Sequence, residues 1–84
     1  MGLEGYAAQV SQHMPDTLKR SLSIAGHRTS ISLESEFWAA LKREAEKEGK
    51  TLAVLVGEID SNRGRRNLSS AIRVWILSRL ESQG

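Results

Sequence analysis

Arg28, Ser30 and Ser32 stand two residues apart in the run Arg28-Thr29-Ser30-Ile31-Ser32-Leu33. Alternation at period two places these three on one face of a strand, with Thr29, Ile31 and Leu33 on the other. One guanidinium and two hydroxyls form a donor-rich row, of the kind that can read base edges from a strand laid in a DNA major groove. Arginine can pair bidentately with guanine O6 and N7, while serine accepts from or donates to several base edges. A lone strand with one wet face is not stable in water, so this reading requires a second strand from a second copy of the chain.

Other residues suited to chemistry are sparse. Ser69-Ser70 has no nearby base, and no carboxylate pair accompanies a nucleophile or a metal-ligand set, so an enzyme is the least favoured class. With no cysteine and only His13 and His27, disulfides, iron–sulfur ligation and a structural zinc site are not expected, and no cofactor is implied. Gly49-Lys50-Thr51 reads as the end of one helix and the cap of the next. It is not a phosphate-binding P-loop, because the preceding glycine and its spacing are missing. Arg63-Gly64-Arg65-Arg66 either tracks phosphate or keeps a loop soluble, and both readings stay open. His27 reads as a strand-edge residue rather than a pH switch. Trp38 and Trp75 read as core or interface anchors.

Charge is distributed more tellingly than its sum. The formal net charge is only +2. From Lys19 to Ser32 there are Lys19, Arg20, His27 and Arg28 and no acid, and from Arg63 to Arg79 there are five arginines and no acid. Between them, Glu34 to Glu48 holds five glutamates against Lys42, Arg43 and Lys47. A basic ribbon, an acidic-leaning helix and a basic C-terminal part suggest one side facing a polyanion. The longest apolar run, Val74-Trp75-Ile76-Leu77, is far too short to span a membrane, no signal peptide is evident, and a cytoplasmic setting is expected.

The elements that must position these residues follow from the same pattern. Eighty-four residues make one small domain, for which dimerisation is a common remedy. Residues 1–18 read as a flexible tail interrupted by Pro15, with at most a short helical turn around Tyr6–Val10. A folded domain is expected over 19–82. In Leu22 and Ile24 the apolar positions are even, while from Thr29 onward the inward positions are odd. A glycine bulge or a two-residue hairpin turn at Ala25-Gly26 would each explain this change. Either device puts Lys19, Ser21 and Ser23 on the same outer face as Arg28, Ser30 and Ser32. The favoured reading is a strand over about 27–33, with 20–24 more loosely attached.

A first helix is expected over about 35–48, with acids in its first turn and Phe37, Leu41 and Ala45 in one apolar stripe beside Trp38. Gly49 ends it. Thr51 caps a second helix, about 52–62, carrying Leu52, Leu55, Val56 and Ile59. Asn67 caps a third, about 68–81, bearing Leu68, Ile72, Trp75, Ile76 and Leu80 on one side. Val74 and Leu77 lie off that stripe, so this helix should be covered on more than one side, by a second chain.

Strand, helix, Gly-Lys-Thr turn and helix, from Arg28 to about Ile59, together resemble a ribbon-helix-helix (Arc/MetJ-type) DNA-binding domain. The closer likeness, over about 19–80, is to a bacterial subfamily of that fold. It rests on Gly26-His27-Arg28-Thr29-Ser30, Leu33-Glu34, Phe37-Trp38, Glu58-Ile59-Asp60, and Asn67-Leu68-Ser69-Ser70-Ala71 followed by Arg73-Val74. The resemblance implies a mainly α fold with one short N-terminal ribbon strand and a third C-terminal helix. It also implies an intertwined homodimer held by a two-stranded antiparallel sheet between subunits. The function implied is sequence-specific binding of double-stranded DNA, as a transcriptional regulator.

Carried across residue by residue, the resemblance puts Arg28, Ser30 and Ser32 at base edges. It puts Lys50, Thr51, Leu52 and Ala53 at a phosphate, which the orphan amides and dipole of a helix N-terminus support independently. Lys19, Arg20, Arg63, Arg65 and Arg66 are possible accessory basic contacts. Ala53 and Val54 stand where many relatives carry polar residues, which leaves this anchor fewer side-chain donors. The alternative is an antitoxin-type or other protein-interaction module, with a toxin as a possible protein partner. Its C-terminal segment would be disordered and charged until bound. Here that segment is apolar and well capped, which favours a stand-alone regulator. A third reading keeps the fold without DNA binding, the ribbon serving only as a dimer seam.

Overall fold

The change of parity at Ala25-Gly26 is a hairpin. In the computed structural model, which describes residues 17–83, strand β1 (Thr17–Ile24) turns directly into strand β2 (His27–Glu34). Ala25 has φ 52° and Gly26 φ 83°, positive at both central positions as a type I′ turn requires. The strands pair antiparallel along their whole length, from Thr17 opposite Glu34 to Ile24 opposite His27. Residues 20–24, expected to be loosely attached, are therefore fully paired, and Thr17 and Leu18 belong to a strand rather than to a tail. The strand needing a partner finds its first one in its own chain, because the I′ turn returns β1 along β2 in register. The remainder of the expected tail, including the turn at Tyr6–Val10, lies outside the described residues.

Helices α1 (Ser35–Lys47), α2 (Leu52–Ser61) and α3 (Leu68–Gln83) cover the inner face of this two-stranded sheet. Ile24, Ile31 and Leu33 from the strands meet Trp38, Leu41 and Ala45 from α1. Leu55, Val56 and Ile59 from α2, with Ala71, Ile72 and Ile76 from α3, complete the core. Each large aliphatic side chain buried here contributes about 1.5–3 kcal/mol. Of the stripe expected on α3, Ile72 and Ile76 lie in the core and Leu68 and Trp75 pack against it, but Leu80 is 44% exposed, while Ala71, which the spacing did not single out, is buried. Val74 and Leu77 are also open to solvent. No helix among the described residues is long and apolar enough to cross a membrane.

The joints between helices follow local chemistry. Gly49, at φ 67°, ends α1 in a Schellman motif, with Lys50 N–H donating to the Ala45 carbonyl at 2.9 Å and Gly49 N–H to Glu46 at 3.1 Å. Thr51 Oγ1 accepts from Val54 N–H at 3.1 Å and caps α2. Asn67 Oδ1 accepts from Ser70 N–H at 2.8 Å and caps α3.

Candidate nucleic-acid interface

The hairpin register sets the outer face. Lys19 lies opposite Ser32, Ser21 opposite Ser30, and Ser23 opposite Arg28, so six polar side chains form three cross-strand rungs. All are exposed except Ser32, which is half-buried. Ser21 Oγ and Ser30 Oγ stand 3.5 Å apart across the middle rung. Among the described residues no acid lies within ion-pair distance of Lys19 or Arg28. Free cations interleaved with hydroxyls can donate to base edges and to phosphate alike.

The other face is fixed downward. Arg20, counted among the basic candidates, belongs to the inner register and places its guanidinium 5.3 Å from the centre of the Trp38 ring. Trp38 Nε1 donates to the Leu18 carbonyl at 2.8 Å. At the far end of β2, Ser69 Oγ of α3 donates to the Ser32 carbonyl at 3.0 Å. Beside it, Arg73 forks onto Glu34, Nε to Oε1 at 2.9 Å and Nη2 to Oε2 at 3.3 Å. The Glu34 carboxyl is held below its ordinary range, first by its hydrogen bond to the Arg73 side chain and then by a backbone hydrogen bond. Arg73 also lies 5.8 Å from the Phe37 ring centre.

The α2 N-terminus offers backbone donors. Leu52 and Ala53 N–H have no partner among the described residues, whereas Val54 N–H is taken by the Thr51 hydroxyl. This is the arrangement that helix N-termini use for anions. Lys50 is otherwise engaged. Its Nζ sits 2.6 Å from Glu58 and 3.0 Å from Glu48, so its charge is already balanced inside the protein. On the α2–α3 turn, Arg63 Nε is paired with Asp60 at 2.6 Å, whereas Arg65 and Arg66 are exposed and have no ion pair among the described residues.

Several supporting residues carry no local signal. Ser69, Arg73 and Trp38 hold the hairpin from elements distant in the chain. Glu44 is buried between α1 and α3, accepting from Lys47 Nζ at 3.4 Å and from Gln83 Nε2 at 3.2 Å, while Arg79 pairs with Glu48 beside it.

The chain matches the ribbon-helix-helix domain family over residues 17–80. A search of curated proteins and a search of solved structures each find no match. The matched span takes in the hairpin, all three helices up to the last turn of α3, and every rung of the polar face. Hairpin, capped helices and family match agree: this chain belongs to the ribbon-helix-helix domain family.

Proposed function

We propose that a homodimer of this chain binds double-stranded DNA in the cytoplasm as a sequence-specific transcriptional regulator. Arg28, Ser30 and Ser32 face base edges, and the Leu52 and Ala53 amides, capped by Thr51, receive a phosphate. Ribbon-helix-helix domains are regulatory modules that bind DNA and form dimers, which supports the general role. The observation that carries the reading is the outer face of the hairpin: exposed, hydroxylated, and with Lys19 and Arg28 free of any acid among the described residues.

The antitoxin alternative would draw on the segment after α2 as a toxin-binding tail. That segment is instead a capped helix of 16 residues whose Ala71, Ile72 and Ile76 belong to the core, which favours a stand-alone regulator. Its exposed Val74, Leu77 and Leu80 suit a second copy of the chain. Fluorescence anisotropy with random-sequence duplex at low salt, followed by selection of bound sequences, tests the proposal. Enrichment of a two-fold symmetric site is the expected result. Absence of binding at low salt would overturn it.

A further inference from the structure

A hairpin has consequences that a single ribbon strand lacks. In a two-residue hairpin the pair next to the turn, Ile24 and His27, is hydrogen-bonded, and narrow and wide pairs then alternate. Arg28, Ser30 and Ser32 therefore turn their backbone groups to the edge of β2, where the Ser32 carbonyl already accepts from Ser69 and the others stand open, and Lys19, Ser21 and Ser23 turn theirs to the open edge of β1. A second copy could add to either edge. One feature selects β2. The exposed apolar side chains of α3 stand on the helix that Ser69 and Arg73 fasten to the end of β2.

A dimer joined through β2 is then a four-stranded sheet with β1 at each margin. Strands lie about 4.8 Å apart, so the outer two are separated by about 14 Å. The major groove is only about 12 Å wide. The central β2 pair can occupy the groove, but the β1 strands must ride over its two walls, where the phosphates are.

The α2 N-terminus lies on this same flank. Leu52 lines a cleft with Leu18, Arg20 and Trp38. Ala53 and Val54 line another with Ser23 and Ala25. Gly57 faces the same strand, where a Cβ would make an ordinary contact with Ile24 Cγ2 at 3.6 Å. A DNA backbone received by the Leu52 and Ala53 amides therefore runs past β1.

Resting on the reading that this chain binds DNA, we propose that β1 is a second DNA-facing strand. Its Lys19, assisted by the Ser21 and Ser23 hydroxyls, grips the backbone on both walls of the groove that β2 reads. A phosphate contact is sequence-blind and shows itself in the salt dependence of binding.

The test is anisotropy of the full chain with a selected duplex and a random duplex across a salt series. Lys19→Gln, Lys19→Arg and Arg43→Gln are compared with wild type, each first checked for an unchanged melt. Two Lys19 contacts per dimer should lower the slope of log affinity against log salt by about 1.8, and weaken binding at low salt by at least roughly tenfold. The loss should be equal on both duplexes. Lys19→Arg should retain the wild-type slope. Arg43→Gln removes the same charge from an exposed position on α1, away from both the hairpin's outer face and the α2 N-terminus, and should leave the slope nearly unchanged. A wild-type slope in Lys19→Gln, or an equal fall in Arg43→Gln, overturns the proposal while DNA binding stands. Absence of wild-type binding removes the DNA reading itself.

Discussion

Trp38 donates its indole N–H to the Leu18 carbonyl at 2.8 Å, tying the first helix to the far end of the first strand across twenty residues of chain. The ring beneath that bond is almost fully buried and carries the Arg20 guanidinium above it. One side chain thus anchors the margin of the sheet that the turn alone would leave to fray.

Trp38→Phe keeps an aromatic ring and removes the donor. A neutral hydrogen bond contributes about 0.5–1.5 kcal/mol net, and the smaller ring adds a packing loss, so a cost of about 1–2 kcal/mol is expected. The distinctive outcome is local. Amide exchange should accelerate in residues 17–22 more than in β2. Uniform loss of protection over the whole domain would show that Trp38 acts through the core alone.

Ala25 at φ 52° occupies a left-handed conformation that costs a residue with a Cβ about 1–2 kcal/mol. Asparagine tolerates this region, and Asn-Gly is the favoured I′ pair. Ala25→Asn should therefore raise stability by about 0.5–1 kcal/mol in a urea melt. Gly26→Val, forced to the same hand at φ 83°, should lower it by more than 1 kcal/mol. A lower midpoint for Ala25→Asn would count against the I′ turn.

That turn marks where the sequence stops being legible. The parity change between Ile24 and Thr29 is visible, but a bulge and a hairpin satisfy it equally, and alanine gives no sign that it will take a positive φ. Gly49, Thr51 and Asn67 are readable as helix ends because each acts on its own backbone neighbours. Ser69 on Ser32 and Arg73 on Glu34 join residues 37 and 39 apart, and no local period encodes such pairs. The same holds at the candidate interface. Alternation shows which side of β2 faces water, but it does not show that Lys50 is balanced by Glu58 across the face of α2.

The Glu34–Arg73 fork gives a pH signature. The folded carboxyl titrates below the ordinary glutamate value of 4.5, so its contribution to stability is present above that value. It is lost as pH falls through 4.5 toward the lower folded value. Glu34→Gln should thus be less stable than wild type at pH 7, with the difference shrinking below about pH 4.5. A difference that stays constant from pH 7 to pH 3 would mean that the charge of Glu34 is not what holds Arg73.

Leu77 is 55% exposed on α3, beside Val74 and near Leu80 and Phe37. If a second copy covers this surface, Leu77→Lys should leave the chain folded while weakening its dimer by tenfold or more, because a lysine ammonium would be desolvated in the interface. Light scattering across a dilution series should show wild type at about twice the chain mass and the variant approaching the monomer. Wild type that melts independently of concentration as a monomer would remove the dimer.

Arg28 and Lys50 separate reading from gripping. Arg28 is exposed on the outer face with no acid within ion-pair distance among the described residues, so Arg28→Ala should reduce discrimination at one base pair per half-site by about 1–3 kcal/mol. Lys50 lies between Glu48 and Glu58, and its removal leaves the Glu58 carboxylate unbalanced on α2, while Glu48 keeps its pair with Arg79. Lys50→Ala should therefore weaken binding to every duplex alike. The salt slope should fall by less than the roughly 0.9 expected for each full phosphate contact, because the ammonium is already neutralised within the protein. Adding Glu58→Ala should recover part of the affinity, which loss of a direct lysine–phosphate contact would not allow. Equal affinity of wild type and Arg28→Ala across a panel of duplexes would take sequence reading away from the hairpin. Arg65 and Arg66, exposed on the α2–α3 turn and without ion pairs among the described residues, would then be the side chains to replace next.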